Sequence, residues 1–125
     1  MQLILTLSLT VLLVMGVPLF AMDPIKSAIK IDYQGRYAMT LKGQVYSNVD
    51  TKLVYRLAVE RRNRGNRASM QQSGLLRLKA GETLSTSTMR TNVEDDDQWT
   101  IILTLYDDQN HQVDQVICKD LPGCS

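Results

Sequence analysis

The sequence predicts an all-β domain made of two packed antiparallel sheets. Three observations lead to this fold class. Apolar and polar residues alternate with a period close to two over most of the chain after residue 22. Turn-forming segments separate the alternating runs, and almost no apolar stripe recurs every three or four residues over a helical length. Seven or eight short strands at this spacing are typical of an immunoglobulin-like sandwich, with a small barrel as the competing architecture.

A charge-free stretch precedes this domain, since residues 3–22 contain no Asp, Glu, Lys or Arg. As a helix it would span about 30 Å, which is long enough to cross a bilayer. Pro18 breaks a helix near its end, and the small Ala21 suits the position before a signal-peptidase cut. We therefore expect a secretory signal helix over residues 1–21, with an uncleaved membrane anchor as the alternative, and an exported domain over residues 22–125.

Three long strands with one buried face each are expected over residues 36–46, 51–61 and 99–106. Their buried rows are Tyr37, Met39, Leu41 and Val45, then Leu53, Tyr55, Leu57 and Val59, then Trp99, Ile101, Leu103 and Leu105. Gly43 interrupts the first row and marks a bulge or a close approach of two backbones. Shorter strands are expected at residues 29–33, 68–72, 75–78, 83–91 and 112–117.

Composition restricts the function. The chain has 125 residues, of which 44% are apolar, and its 14 Lys and Arg against 13 Asp and Glu give a net charge of +1. That length allows one small domain, and the charge balance gives no general attraction for nucleic acid. One His and two Cys leave little material for a transition-metal site, and no catalytic motif is present. We expect a protein without cofactor that is not an enzyme.

The two cysteines, Cys118 and Cys124, stand close together at the C-terminus. In an oxidising compartment they are expected to form a disulfide that pins the last strand. A redox-active dithiol is the alternative, but the spacing differs from the C-x-x-C of oxidoreductases. The acidic run of residues 94–97 is interpreted as a solvated turn rather than a calcium site, because it lacks the spacing of a calcium loop.

Arginine is concentrated in one segment, where Arg56, Arg61, Arg62, Arg64 and Arg67 fall within twelve residues. This cluster predicts an electrostatic dipole in a molecule of nearly zero net charge. No aromatic residue lies between Tyr55 and Trp99, so a nucleic-acid surface is disfavoured. The cluster is therefore either a solvated hairpin tip or a surface for an acidic partner.

Several segments resemble a known family. They are the strand of residues 53–57 with the polar loop after it, the run of residues 76–84, and Asp96-Asp97 leading into residues 101–107. In this order they resemble the small periplasmic inhibitors of curli amyloid assembly, the CsgC/CsgH type. The family's CsgC branch carries a Cys-x-Cys pair where this chain has Thr51-Lys52-Leu53, so a redox role is not carried over and the chain is closer to CsgH.

The resemblance implies an immunoglobulin-like, monomeric, periplasmic chaperone that binds unfolded curlin subunits and prevents premature fibre formation, with no stable membrane contact once the leader is cleaved. The residues expected to contact the client are Lys42, Lys52, Arg56, Arg61, Arg62, Arg64 and Arg67. The alternative function is a secreted structural or adhesion-type β-sandwich that serves as an interaction module.

Overall fold

The computed structural model describes residues 24–119, and these form eight strands. The strands are β1 (Ile25–Tyr33), β2 (Ala38–Ser47), β3 (Thr51–Asn63), β4 (Asn66–Leu78), β5 (Glu82–Ser85), β6 (Met89–Asn92), β7 (Gln98–Tyr106) and β8 (Gln112–Lys119). This arrangement confirms the predicted antiparallel β-sandwich. The predicted signal helix lies outside the described residues, and within them no helix has the length and hydropathy needed to cross a bilayer.

Each of the two sheets contains four strands. In sheet I, β2 is central and pairs with β1 on one side and with both β5 and β6 on the other. Sheet II has the order β4-β3-β7-β8, so β3 and β7 are its inner strands. All pairings are antiparallel.

The core lies between the sheets and is built from the inward rows of β2, β3 and β7. Alternation places every second side chain of these strands toward the other sheet. The predicted buried rows are confirmed except for Tyr37, which is 58% exposed because β2 begins one residue later, at Ala38. The innermost side chains are Ile29, Met39, Leu41, Val45, Leu53, Leu57, Val59, Ile101, Leu103 and Leu105.

Gly43 is a site of close approach between the sheets. A Cβ atom there would lie 2.8 Å from Cδ2 of Leu103 and 3.0 Å from Cγ2 of Thr86. The bulge is not in β2 itself but in the neighbouring chain segment of the same sheet, because two residues of β2, Lys42 and Gly43, stand opposite the three residues 86–88. The single strand predicted over residues 83–91 is therefore wrong. It is divided into β5 and β6, and the side chain of Thr86 accepts a hydrogen bond of 2.9 Å from the Gly43 N–H.

Strands β3 and β4 form one long hairpin. The two separate strands predicted over residues 68–72 and 75–78 are wrong, because β4 is continuous for 13 residues and pairs with β3 along its whole length. Gly74 does not break it, since a Cβ there would lie only 2.7 Å from the Tyr55 ring that packs across the position. Arg64 and Gly65 close the hairpin with φ values of 51° and 84°, which identifies a two-residue type I′ turn.

Three connections meet at one end of the sandwich, which we call the hairpin end: residues 34–37, 64–65 and 93–97. The N–H of Val93 donates to the carbonyl of Tyr37 at 2.8 Å, which joins the first connection to the third. The connections of residues 48–50, 79–81 and 107–111 lie at the opposite end, where Ala80 N–H donates to the Asp50 carboxylate at 2.8 Å.

Candidate binding surface

The outer face of sheet II carries most of the residues expected to contact a client. Outward positions are the even-numbered residues of β3 and the odd-numbered residues of β4 and β8, because alternate side chains point to opposite faces. We call the exposed bases of this surface the cationic face. They are Lys52, Arg56, Arg62, Arg67, Arg77 and Lys119.

Two pairs of bases stand directly opposite each other across the β3–β4 ladder, Lys52 with Arg77 and Arg62 with Arg67. Like charges in this position repel and destabilise the sheet. Glu60 relieves one pair, because its carboxylate lies 3.1 Å from Nε of Arg62 and 2.8 Å from a guanidinium nitrogen of Arg67. Within residues 24–119 no acidic side chain forms an ion pair with the other pair, Lys52 and Arg77.

Apolar side chains lie exposed among these bases. Val54 is 39% exposed, Leu75 on the neighbouring strand is 48% exposed and Ile117 on β8 is 54% exposed. The Arg56 guanidinium lies 5.6 Å from the centre of the Tyr106 ring, a distance typical of a cation–π contact. The surface therefore combines exposed apolar side chains with positive charge, which is the combination that an amphipathic acidic chain could bind.

A shallow groove crosses this face where β3 carries a small side chain. Ala58 forms its floor, with Gln71 of β4 on one side and Ile102 of β7 on the other. Glu60 and Thr100 line the end of the groove nearest the hairpin end. An extended chain has room here to place a side chain between the neighbouring strands.

Three of the seven predicted client residues do not belong to this face. Lys42 lies on the outer face of sheet I, directly opposite Lys30. Arg64 is in the hairpin turn, where its guanidinium lies 3.8 Å from the Asp96 carboxylate. The structure thus brings together Lys52, Arg56, Arg62 and Arg67 and separates them from the others.

Arg61 is the third, and it points toward the inside of the sandwich. Its guanidinium lies 6.0 Å from the centre of the Trp99 ring and donates to the carbonyl of Asn92 at 3.2 Å. It also lies 4.0 Å from the carboxylate of Asp97, whose side chain is only 2% exposed. Arg61 therefore closes the hairpin end of the core, with only 26% of its own side chain exposed.

The predicted arginine cluster is not isolated, because the acidic run lies against it, and the electrostatic dipole of the whole molecule stays a prediction. Asp95 pairs with Arg36 at 3.5 Å, and Asp96 and Asp97 pair with arginines of the hairpin as described above. The Asp97 carboxylate also accepts hydrogen bonds from Asn63 Nδ2 at 2.6 Å and from the Glu94 N–H at 2.7 Å. The hairpin end is locally close to neutral, which the linear sequence could not show.

Asp107 and Cys118 are not part of the cationic face. Hydrogen bonds from the backbone N–H groups of His111, at 2.8 Å, and of Gln109, at 2.9 Å, together with the charge of the His111 ring, lower the pKa of the Asp107 carboxyl. Cys118 is 2% exposed and disulfide-bonded, but Cys124 lies outside the described residues, so the predicted pairing stays a prediction. The described residues contain no group of three or more His, Cys, Asp or Glu that could hold a metal ion.

Sequence reasoning missed Arg77, Lys119 and the exposed apolar residues of the same face. The signal was present in the alternation, because Leu75 and Arg77 occupy the outward positions of the run whose inward members are Leu76 and Leu78. The alternation does not give the strand register, and it is the register that sets Arg77 opposite Lys52.

No protein-family model matches the chain, and no curated protein matches it. Solved structures do match. The solution structure of CsgH from R. palustris has a TM-score of 0.60 at 15% identity, covering 76% of this chain and 91% of that one. The curli protein CsgC of E. coli has a TM-score of 0.59 at 18% identity, covering 78% and 100% of the two chains. The ApaA protein of Bordetella pertussis has a TM-score of 0.52 at 9% identity, covering 79% and 94%. The chain therefore shares the fold of the curli proteins CsgH and CsgC.

Proposed function

We propose that this protein is a non-catalytic, chaperone-like inhibitor that binds unfolded curlin subunits in the periplasm and prevents premature amyloid fibre formation. The main support for the proposal is the cationic face. There Lys52 and Arg77, two bases whose mutual repulsion no acidic side chain of residues 24–119 offsets by an ion pair, lie beside exposed apolar side chains. The fold shared with CsgH and CsgC supports the choice of client.

The chemistry of such an inhibitor follows from how fibres start. A cross-β nucleus grows when strands add to its open edges. A folded β domain that holds a subunit for a short time removes it from the nucleating pool. Positive charge on the binding face raises the rate at which an acidic client is captured, and it keeps copies of the inhibitor apart.

The test is inhibition of fibre growth with two matched charge reversals. Protein well below equimolar is added to a freshly desalted curlin subunit, and dye binding is followed over time. The double variant K52E/R77E reverses the cross-strand pair of the cationic face. The double variant K30E/K42E reverses the equivalent cross-strand pair on sheet I and serves as the control, since both change the net charge by the same amount.

We expect the wild-type protein to lengthen the lag, K52E/R77E to lose about tenfold in potency as steering and contact are lost, and K30E/K42E to stay close to wild type. Equal loss in both doubles would show that general charge rather than the cationic face is responsible. If the wild-type protein leaves the lag unchanged, the proposed function is wrong and the interaction-module alternative is favoured.

A further inference from the structure

Within residues 24–119, no strand covers the outer edge of β4 in sheet II. Among the strands of residues 24–119, β4 pairs only with β3, and none of its first nine residues is buried. The other edges are partly covered or interrupted, although β1 and β8 do not pair with each other. Strands β1 and β8 lie against each other, with Ser27 Oγ donating to the Asp114 carboxylate at 2.5 Å, and residues 86–88 break the β5–β6 edge.

Hairpin geometry tells which backbone groups of β4 are free. In a two-residue hairpin the residues that flank the turn, here Asn63 and Asn66, form a hydrogen-bonded pair. Hydrogen-bonded and non-hydrogen-bonded pairs then alternate along an antiparallel ladder. Even-numbered residues of β4 therefore bond to β3, and the N–H and C=O groups of the odd-numbered residues 67–77 point away from the sheet.

The odd-numbered positions carry a defined pattern of side chains on the outer face. Arg67 and Arg77 stand near the two ends of the strand, about 33 Å apart, and the positions between them are Ser69, Gln71, Ser73 and Leu75. Arginine at an edge discourages indiscriminate pairing. A strand added here meets mainly small or polar side chains along the middle and Arg77 at one end. At the other end it meets Arg67, which together with Arg62 outweighs the single charge of Glu60.

We propose that an extended segment of the client polypeptide, with a carboxylate near each end, adds to sheet II as a fifth strand along β4. This inference rests on the proposed function and names the place where the client binds. Charge complementarity selects the occupant, because the segment's carboxylates meet Arg67 and Arg77. A second copy of this chain fits poorly, since full-length antiparallel pairing of two β4 strands sets Arg67 against Arg77 of the other copy.

The first measurement is amide hydrogen exchange by NMR on the protein alone. Odd-numbered amides between residues 67 and 77 are expected to exchange fast and even-numbered amides slowly. Slow exchange of both sets, together with a dimer in light scattering, would mean that a second copy covers the edge, and would overturn the proposal.

The second measurement compares Ser73→Pro with Ser73→Ala. Proline removes an N–H that points away from β3 and puts its ring in the path of an added strand, whereas alanine keeps the N–H and removes the same hydroxyl. Retained slow exchange of the even-numbered amides shows that each variant is folded. We expect Ser73→Pro to need about tenfold more protein for the same lag time and Ser73→Ala to match wild type.

The outcomes separate the two claims. A folded Ser73→Pro variant that inhibits fibre growth as well as wild type overturns strand addition at β4 and leaves the proposed function standing. A wild-type protein that does not delay fibres overturns the proposed function and this inference with it. If Ser73→Pro loses inhibition while Ser73→Ala and the wild-type protein keep it, the result supports both the proposed function and strand addition at β4.

Discussion

Arg61 and Arg62 are neighbours in the sequence with opposite surroundings, and replacing each by methionine separates structural from binding roles. Methionine keeps a long apolar side chain and removes the charge and the donors. In Arg61→Met the hydrogen bond to Asn92 O is lost, at about 1 kcal/mol. The cation–π contact with Trp99 contributes about 0.5–1 kcal/mol, and the nearby charge on buried Asp97 about another 1 kcal/mol.

The total for Arg61→Met is about 2.5–3 kcal/mol of unfolding free energy, which lowers the melting temperature by roughly 10–25 °C in a domain of this size. Arg62→Met removes a pair with Glu60 on a side chain that is 59% exposed, so its cost stays within about 1 kcal/mol. Urea titration followed by circular dichroism measures both, and the lag-time assay measures function at a temperature where both variants are folded.

We expect Arg61→Met to lose stability and keep most of its inhibition, whereas Arg62→Met should keep its stability and lose part of its inhibition. If both variants lose stability equally, the inward placement of Arg61 is not what holds the hairpin end. If folded Arg61→Met loses more inhibition than Arg62→Met, the division between the cationic face and the core is wrong.

Two further perturbations test the packing and the loops. Gly43→Ala places a methyl group 2.8 Å from the fully buried Leu103. We expect a loss of about 1–2 kcal/mol of unfolding free energy in a urea titration, because overpacking outweighs the small entropic gain from replacing a strand glycine. Unchanged stability would show that the sheets separate easily at this position. Asp107→Asn removes a carboxylate whose pKa is lowered by the His111 N–H, and we expect the variant to have a lower unfolding free energy than wild type. This loss is fully present above the unfolded pKa of about 3.9 and vanishes as the pH falls through the lowered folded value. A loss of unfolding free energy that grows below about pH 4 would contradict this sign.

Alternation along the chain was enough to predict the sandwich, and it also contained the orientation of Arg61. Residue 61 has the same parity as Leu57 and Val59, which are buried, whereas Arg56 and Arg62 have the opposite parity. Treating the arginines as one cluster ignored this parity. Local pattern thus decides which face of a strand a residue occupies, even where composition groups it with others.

Contacts between residues far apart in the sequence could not be predicted from alternation. The contact between Asp95 and Arg36 joins residues 59 positions apart, and it exists only because two connections meet at the hairpin end. The continuity of β4 through Gly74 likewise depends on the Tyr55 ring of another strand. In both cases the deciding partner is brought in by topology, and a single sequence does not specify topology.

The two-residue turn at Arg64 and Gly65 has a consequence for the order in which the chain folds. Closing a short loop costs little chain entropy, whereas pairing β3 with β7 must first enclose the residues between Asn63 and Gln98. We expect the β3–β4 ladder to zip up first, on the microsecond scale of isolated hairpins, and to act as the template onto which β7 and then β8 condense. The folding chain would thus present its β4 strand early, before the rest of the molecule has assembled around it.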